Sequence, residues 1–581
     1  MQAIISKLGN RNFFKKLEVN FGITIFYIFI SFFSIFFLRK TGFLFKGDDL
    51  HFHIDRIENL VGLLKSHTLI SFISTYSYNK VGIAMDQFYP NLFIYPFAVL
   101  RIIVKNPVSA IYDGLMLINL ITCGIAHYSY KRFSDSTLKA FIFTNIYFFS
   151  TYRFVDMVTR FDLGELLAIS FIPLAFWSFF EVFFRDSGKW PALSISMSLL
   201  LYSHILSLLF VAFFFVIIIV FNFKRIKLPF RVFKRTLHAV LLFLLFSFGF
   251  LYNFLYTYQS GTIKSPGIHI LQNEALQPIN LLHNSISNNI AGYTGQTYNI
   301  GIIAIVILVL LFKIHPIEHF NRVLINLTLF SLFLCTNLFP WFLIQDTPIA
   351  IIQIPWRFLI IANFFIAVLG VQVFLKVSKS KAIIVGLPTV LIVLNFTSVN
   401  YFIKQRELLP TLNYALTPTD GSSKNRLIKI NNKNYYRLSE INNTSDYIPL
   451  THKKFNHSDS LNFEKVIAHY ATLQNGKNIH IGDMHSLPNG MRYKISAQKQ
   501  KGRISLPFYM YNKKNYIVKR NGHKIDFQID SHRLLNIKSL KSKSTVQVTY
   551  HATQVQLIAI EISIVTFIVF IGMAILKNYF I

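Results

Sequence analysis

The chain has 581 residues, of which 53% are hydrophobic and only 14% are charged, and its mean hydropathy is +0.45. Soluble domains carry about a quarter of charged residues, so this composition excludes an ordinary water-soluble protein and indicates one with lipid as a solvent. The net charge of +32 does not indicate nucleic-acid binding, because no zinc-finger, helix-turn-helix or RNA-binding pattern accompanies the basic residues. The lipid bilayer, with its anionic head groups, is the simpler partner.

Several apolar segments are long enough to cross about 30 Å of hydrocarbon as helices. The clearest are residues 21–38, 210–223, 237–255, 358–375 and 557–576. Lys and Arg are concentrated in the short segments 1–20, 131–132, 185–189, 224–235, 313–322 and 376–381. Because short cytoplasmic loops hold an excess of these residues, we place both termini inside a multi-pass cell-membrane protein. An even number of spans between basic turns gives about twelve, with 190–223 split near His204 into a short and a full helix.

This parity divides the chain into three parts. Residues 1–399 form a multispanning helical domain, with extracytoplasmic loops at 39–107, 151–163 and 256–299. Residues 400–556 form an extracytoplasmic domain, and residues 557–581 form a final span with a short cytoplasmic tail. The predicted fold class is an α-helical polytopic membrane protein with a C-terminal β-rich domain.

The first loop begins with a pattern that predicts a helix. Apolar residues recur at helical spacing from Ile54 to Leu64, with Asp55, Arg56 and Glu58 on other faces, so we expect the helix to lie along the membrane surface. The following segment, 88–105, is apolar but short and broken by proline, which favours an interfacial or re-entrant segment.

The segment from residue 400 alternates apolar and polar positions, which predicts a water-facing β-sandwich. Strands are expected at 504–508, 516–518, 525–529 and 546–550. The dipeptide Asn521-Gly522 between two of them is typical of a type I′ hairpin turn.

Two adjacent acids, Asp48 and Asp49, follow the first span directly. A carboxylate there can accept a proton from a sugar hydroxyl, and both acids with His51 can bind a divalent cation such as Mg²⁺ or Mn²⁺. The structural alternative is that one of them caps the helix that follows. His51 and His53 diverge by roughly 200° on a helix, so a zinc site on this pair alone is not expected.

Further charged residues meet the membrane in the second loop. Arg153, Arg160, Asp162 and Glu165 lie at or just before the head of an apolar span, where they can bind an anionic head group. An interfacial salt-bridge cluster explains the same residues equally well.

Three more polar residues are candidates for binding a phosphate. His204 interrupts an apolar stretch, and Gln353 and Arg357 precede a span on the outer side. The alternatives are a satisfied buried histidine and an arginine that extends to the membrane surface beside aromatic residues.

The order of these motifs resembles the GT-C superfamily of membrane glycosyltransferases. The residues that carry the resemblance are Gly47-Asp48-Asp49, Phe88-Tyr89-Pro90, 152–165 and 353–357. The chain is also similar to bacterial multispanning proteins labelled 6-pyruvoyl-tetrahydropterin synthase-related. We expect no pterin chemistry, because the 18 histidines include no pattern for a three-histidine zinc site.

The resemblance implies transfer of a sugar from a polyprenyl-phosphate donor to a cell-envelope acceptor at the outer leaflet. Asp48 or Asp49 would be the base, and Arg357, Arg160 and His204 would stabilise the leaving phosphate. Asp162 and Glu165 would orient the acceptor or a metal ion. Two other classes fit the composition: a transporter or flippase for a lipid-linked saccharide, and a scaffold that binds anionic envelope polymers.

Overall fold

The computed structural model describes residues 11–267, 269–292, 297–314, 319–377, 382–410, 428–440, 444–452, 454–497, 502–540 and 542–577. Parts of the basic segments predicted at 1–20, 313–322 and 376–381 therefore lie outside the described residues. The described chain is mostly helical up to residue 407 and rich in strands from residue 470 to 550.

Twenty α-helices are present in the described residues. The first ten are α1 (Arg11–Lys40), α2 (Leu50–Lys65), α3 (Met85–Phe88), α4 (Tyr95–Ile103), α5 (Pro107–Ser134), α6 (Thr137–Phe148), α7 (Thr151–Phe154), α8 (Leu163–Phe183), α9 (Trp190–Ser203) and α10 (Ile205–Asn222). The others are α11 (Pro229–Tyr258), α12 (Leu271–Glu274), α13 (Pro278–Ile286), α14 (Ile302–Ile314), α15 (His319–Cys335), α16 (Leu359–Val377), α17 (Ala382–Glu407), α18 (Arg437–Glu440), α19 (His457–Ile467) and α20 (Gln554–Lys577).

Eight helices in the described part of the chain are long and apolar enough to cross a membrane. They are α1, α5, α8, α10, α11, α16, α17 and α20. Three shorter apolar helices, at Leu92–Ile103, Ile302–Lys313 and His319–Cys335, accompany them. These helices are consistent with the predicted membrane-protein class, and the count of twelve spans stays a prediction.

The break predicted near His204 is confirmed. Helix α9 ends at Ser203 and α10 begins at Ile205, while His204 between them has an extended backbone, with φ −157° and ψ 114°. A residue in this conformation cannot continue a helix, so the apolar segment 190–222 bends at a polar side chain.

Helices α8 and α16 form the interior of the helical bundle. In α8 the most apolar window is 89% buried by protein and in α16 it is 83% buried, against 11% in α20. The charged residues that precede α8 and α16 are therefore held at the end of a rigid core.

Fourteen β-strands are present in the described residues. They are β1 (Leu44–Phe45), β2 (Thr262–Ile263), β3 (Lys429–Ile430), β4 (Pro449–Leu450), β5 (Tyr470–Leu473), β6 (Asn478–His480), β7 (Met484–Leu487), β8 (Gly490–Ile495), β9 (Arg503–Tyr509), β10 (Tyr516–Arg520), β11 (His523–Lys524), β12 (Gln528–Ile529), β13 (Leu534–Lys538) and β14 (Ser544–Tyr550).

Two five-stranded antiparallel sheets, ordered β11-β10-β14-β8-β7 and β12-β13-β9-β5-β6, share one apolar core and form the β-rich region. The predicted hairpin is confirmed, because Arg520 pairs with His523 and both Asn521 and Gly522 have positive φ. The strand expected at 525–529 is shorter than predicted and covers only β12.

The first loop is part of the β-rich region, which sequence patterning did not predict. Phe72, Ile73, Val81 and Met85 belong to the same apolar core as the two sheets. The side-chain oxygen of Asn489 accepts hydrogen bonds from the backbone N–H groups of Phe72, at 2.6 Å, and Ile73, at 3.0 Å. This part of the first loop thus packs against the two sheets.

Helix α2 is a helix as predicted, but it does not lie on the surface of the molecule. Asp55 and Arg56 are buried together with the apolar residues of the helix, because other parts of the first loop, including α4, cover α2. That α2 lies along the membrane surface stays a prediction, but Asp55 and Arg56 are buried by protein. A buried α2 can hold its N-terminal end, with Asp48 and Asp49, in a fixed place.

Candidate active site

Five carboxylates surround the buried guanidinium of Arg160. The shortest N···O distances are 2.6 Å to Asp156, 3.0 Å to Asp162, 3.0 Å to Glu165, 3.7 Å to Asp49 and 3.9 Å to Asp48. We call Asp48, Asp49, Asp156, Arg160, Asp162 and Glu165 the carboxylate cluster. It joins the first loop to the second at the N-terminal end of α8.

Backbone contacts bring the two loops together. The N–H of Asp49 donates to the carbonyl oxygen of Arg160 at 2.9 Å. A Cβ atom on Gly47 would lie 2.1 Å from the carbonyl oxygen of Thr159, so only glycine fits there. Arg160 itself ends a π-helical turn, and Phe161 has a left-handed φ of 60° that lets the chain turn before α8.

Asp48 and Asp49 form the open side of the cluster. Their side chains are 60% and 37% exposed, whereas those of Asp156, Asp162 and Glu165 are at most 4% exposed. Asp49 occupies the position before α2, but its side chain makes no capping hydrogen bond. The capping explanation therefore does not account for this carboxylate.

The pKa values of these acids move in different directions. Partial burial, together with the neighbouring charge of Asp162, raises the pKa of Asp49 to about 7. Burial and then Glu165 raise the pKa of Asp156 well above its usual range. Burial alone would raise the pKa of Asp162 as well, but Arg160 outweighs it and holds that pKa well below the usual range. Asp49 is thus the partly exposed acid of the cluster that changes charge near neutral pH.

Aromatic residues cover Arg160 on another side. The ring of Trp356 lies 4.6 Å from the guanidinium carbon, and Tyr298 stacks on Trp356 with the ring centroids 3.6 Å apart. The Tyr298 hydroxyl donates to Asp48 at 3.1 Å, and the Tyr152 hydroxyl donates to Glu165 at 2.6 Å. The cluster is therefore desolvated except where Asp48 and Asp49 face outward.

Arg357 lies beside the cluster and is 7% exposed. Its Nε is 3.6 Å from Glu165, and its Nη1 donates to the side chain of Gln353 at 3.0 Å and to the carbonyl of Ile352 at 3.1 Å. The segment Pro355–Phe358 before α16 holds both Trp356 and Arg357. Gln353 also donates to the carbonyl of Gly267 at 3.0 Å, so it orients the arginine.

His53, Tyr89 and His204 extend the site away from Arg160. The ring of Tyr89 lies 6.2 Å from that of His53 and 6.3 Å from that of His204. Burial lowers the pKa of His53 to about 4, so this histidine is neutral at pH 7. His204 exchanges a hydrogen bond with Ser207 at 2.8 Å, as the buried-histidine alternative requires. A Cβ on Gly164 would lie 2.0 Å from the Tyr89 hydroxyl, so Tyr89 packs directly on the start of α8.

Arg153, a predicted site residue, lies away from the site. Arg153 is buried among helices, where its guanidinium donates to Asn119 and to Thr122. His51 is half-buried at the start of α2. Within the described ranges, no group of three or more His, Cys, Asp or Glu side chains is arranged to hold a metal ion. Arg160 occupies the centre of the acids, where a cation would otherwise be expected.

Sequence reasoning missed several residues of the site. Asp156 precedes Arg160 by four positions, a spacing at which opposite charges pair on a helix, and this signal was present. Trp356 lies next to Arg357 in the sequence, but no motif marks it as a residue that covers Arg160. Tyr298 comes from a distant loop with no motif around it, so only tertiary structure brings it to Asp48.

Fold and site together define a mostly helical protein with several apolar helices long enough to cross a membrane, a β-rich region and a buried ion cluster. No protein-family profile matches the chain, and no solved structure matches it. It is similar to an uncharacterized protein of Lactococcus lactis subsp. cremoris (strain MG1363), with 24% identity over 178 residues. That match covers 30% of this chain and 28% of the relative, so the chain spans less than a third of it.

Proposed function

We propose that the protein is a membrane glycosyltransferase that uses Asp49 as its general base. The observation that carries the proposal is a partly exposed carboxylate with a pKa of about 7 at the rim of a buried ion cluster. A general base is most effective when its pKa lies near the working pH. Asp48 is the second candidate for this role.

In this reaction the acceptor hydroxyl gives its proton to Asp49 while its oxygen forms a bond to the anomeric carbon of the donor sugar. The bond from that carbon to the phosphate oxygen breaks, and the electron pair leaves with the polyprenyl phosphate. Arg357 is the residue suited to that phosphate, because Glu165 approaches it only at 3.6 Å and does not hold it fully.

We assign Arg160 a positioning role rather than contact with the phosphate. Three carboxylates within 3.0 Å already occupy its donors, and a phosphate would have to displace them. Asp162 and Glu165 then orient Arg160, and Arg160 in turn lowers the energy of ionised Asp49.

The GT-C resemblance, the twelve-span topology and the extracytoplasmic placement of the site belong to this proposal. The basic segments at 131–132, 185–189 and 224–235 support the placement, because they lie at or just after the C-terminal ends of α5, α8 and α10. The acids lie at the opposite end of α8, which would put them at the outer leaflet. A transporter is the second candidate, because Arg153 is a charged residue buried among the helices, as is expected for one.

The test is sugar release from polyprenyl-phosphate sugars by the purified protein. We expect the Asp49→Asn variant to lose about 10²–10⁴-fold in rate, the range for removal of a general base. The matched control is Asp113→Asn, an acid of α5 that pairs with Arg39 and lies outside the cluster. Equal turnover by the wild type, Asp48→Asn and Asp49→Asn would refute the enzyme.

A further inference from the structure

A cavity lies at the end of the helical bundle opposite the carboxylate cluster. Its volume is about 690 Å³, within the range of about 300–1,000 Å³ for sites that bind small ligands. Residues from the C-terminal end of α8 line it, including Phe176, Trp177 and Phe180. The carboxylate cluster lies at the N-terminal end of the same helix, and 21 helical residues span about 30 Å. The end of the cavity at the C-terminus of α8 is therefore separated from the cluster by roughly the thickness of the hydrocarbon layer.

The interior of the cavity is aromatic and its rim is basic. Phe133, Phe143, Phe179, Phe184, Phe320, Phe364 and Phe365 also line the interior. Lys224, Arg225 and Lys227, all exposed, lie at the rim together with His319. Among the described residues that line the cavity there is no aspartate or glutamate. Such a site favours a ligand with an apolar chain and a negatively charged head.

The three rim bases differ from their basic neighbours. Arg231 and Arg235 pair with Asp186, at 2.9 Å for Arg231. In the described part of the molecule, none of Lys224, Arg225 and Lys227 has a carboxylate within 4.0 Å. Their charge is thus not neutralised by a carboxylate within the described residues.

Two residues that line the cavity carry a buried polar atom without a hydrogen-bond partner in the described structure: Trp177, at its indole Nε1, and Ser129, at its hydroxyl. Buried donors of this kind normally find an acceptor. Both lie within about 9 Å of the helix ends, since Trp177 is six residues from the end of α8 and Ser129 five from the end of α5. This is the depth at which a lipid's ester groups meet the hydrocarbon.

We propose that this cavity binds an anionic glycerophospholipid. Its phosphate lies between Lys224, Arg225 and Lys227, an ester carbonyl accepts from Trp177 or Ser129, and an acyl chain packs among the phenylalanine rings. A polyprenyl phosphate has the charge and the apolar chain but no ester carbonyl, so the two orphaned donors favour the phospholipid. This inference does not depend on the proposed transferase activity.

Trp177 supplies a direct probe of binding. Full-length protein in a neutral detergent is titrated with phosphatidylglycerol or phosphatidylcholine that carries bromine on the acyl chains, which quenches nearby tryptophans. The difference between wild type and Trp177→Phe isolates the signal of Trp177. We expect phosphatidylglycerol to quench this signal at an at least about tenfold lower concentration than phosphatidylcholine. Equal quenching of wild type and Trp177→Phe, or equal effects of the two lipids, would overturn the proposal.

Charge variants test the head-group site. In the triple variant Lys224→Gln, Arg225→Gln, Lys227→Gln the preference for phosphatidylglycerol should disappear. The matched control is Lys131→Gln, Lys139→Gln, Lys234→Gln, which removes the same charge from the same end of the bundle without touching the cavity lining. Equal loss in both triples would show only general surface attraction. Displacement of the brominated lipid by undecaprenyl phosphate but not by phosphatidylglycerol would overturn the phospholipid assignment.

Discussion

At the scale of a single residue, the raised pKa of Asp49 favours its role as a base but lowers the stability of the folded protein. Its pKa of about 7 makes it suitable as a base, and the same shift means that the ionised carboxylate destabilises the folded protein. The folded state holds the proton more tightly than the unfolded state does. The destabilisation is absent below the unfolded pKa of about 4 and complete above about pH 7.

We therefore expect activity and stability to respond to pH in opposite directions. Sugar release should fall about tenfold for each pH unit below 7 and level off above it, because only the ionised form accepts a proton. The Asp49→Asn variant should unfold at a higher temperature than wild type at pH 8, with the difference shrinking below pH 7. A pH–rate profile and thermal unfolding in detergent measure both effects. A flat rate profile from pH 5.5 to 8.5 would contradict the role of Asp49.

Arg160 holds the buried acids together, so its removal should be costly. Arg160→Gln leaves Asp162 and Glu165 without their cation, and losing one partner of a buried ion pair costs about 3–5 kcal/mol. Arg231→Gln is the control, because Arg231 is 56% exposed and its pair with Asp186 is worth about 0–1 kcal/mol. Thermal unfolding compares the two variants. Similar losses in both would mean that the cluster contributes no more than a surface pair.

At the scale of elements, the close approach of two loops positions the acids. The segment before α2 runs against the turn before α8, and the hydrogen bond from Asp49 to Arg160 fixes their register. Neither segment forms part of a sheet there, so the contact depends on Gly47 having no side chain.

Gly47→Ala should separate these loops. The new Cβ would lie 2.1 Å from one backbone carbonyl oxygen and 2.7 Å from the next, and backbone atoms cannot move aside cheaply. We expect activity to fall by about 10²-fold or more, because a shift of about 1 Å in a catalytic group has that effect. Gly124→Ala in α5 is the control, since nothing lies within 4 Å of its Cβ position. Full activity in Gly47→Ala would show that Asp48 and Asp49 need no fixed position.

At the scale of the whole molecule, the β-rich region depends on the helical part. The first loop contributes to its core, and α20 returns to pack on α11. Gln556 joins the two parts, because its side chain donates to Asn253 on α11 at 2.8 Å and accepts from Asn515 at 3.1 Å. Gln556 thus connects the β-rich region to the helical part.

A fragment of residues 428–553 should therefore not fold alone. Without the first loop, Phe508 and its apolar neighbours are exposed to water. Exposing apolar surface costs about 25 cal/mol for each Å². We expect weak near-ultraviolet circular dichroism and strong binding of a hydrophobic dye. The same fragment joined to residues 66–90 by a flexible linker should regain cooperative unfolding. Cooperative unfolding of the shorter fragment would show that the region is an independent domain.

Much of this architecture follows from local chemistry. Continuous apolar runs must be helices in lipid, and alternation with Asn521-Gly522 gives a hairpin, so span segments and strands could be predicted. The break at His204 was also predictable, because a polar residue splits an apolar segment too long for one span. The burial of Asp55 and Arg56 was not, since helical spacing does not reveal what covers each face.

The sequence by itself determined which segments are long and apolar enough to cross a membrane, where the β-rich region lies and which loops carry acids. Tertiary structure alone decided that Arg160 lies among five carboxylates, that Arg153 lies elsewhere, and that Tyr298 reaches Asp48. The physical reason is that hydrophobicity and turn chemistry act over a few residues. A pKa near 7 at Asp49 depends on charges and burial that come from distant segments.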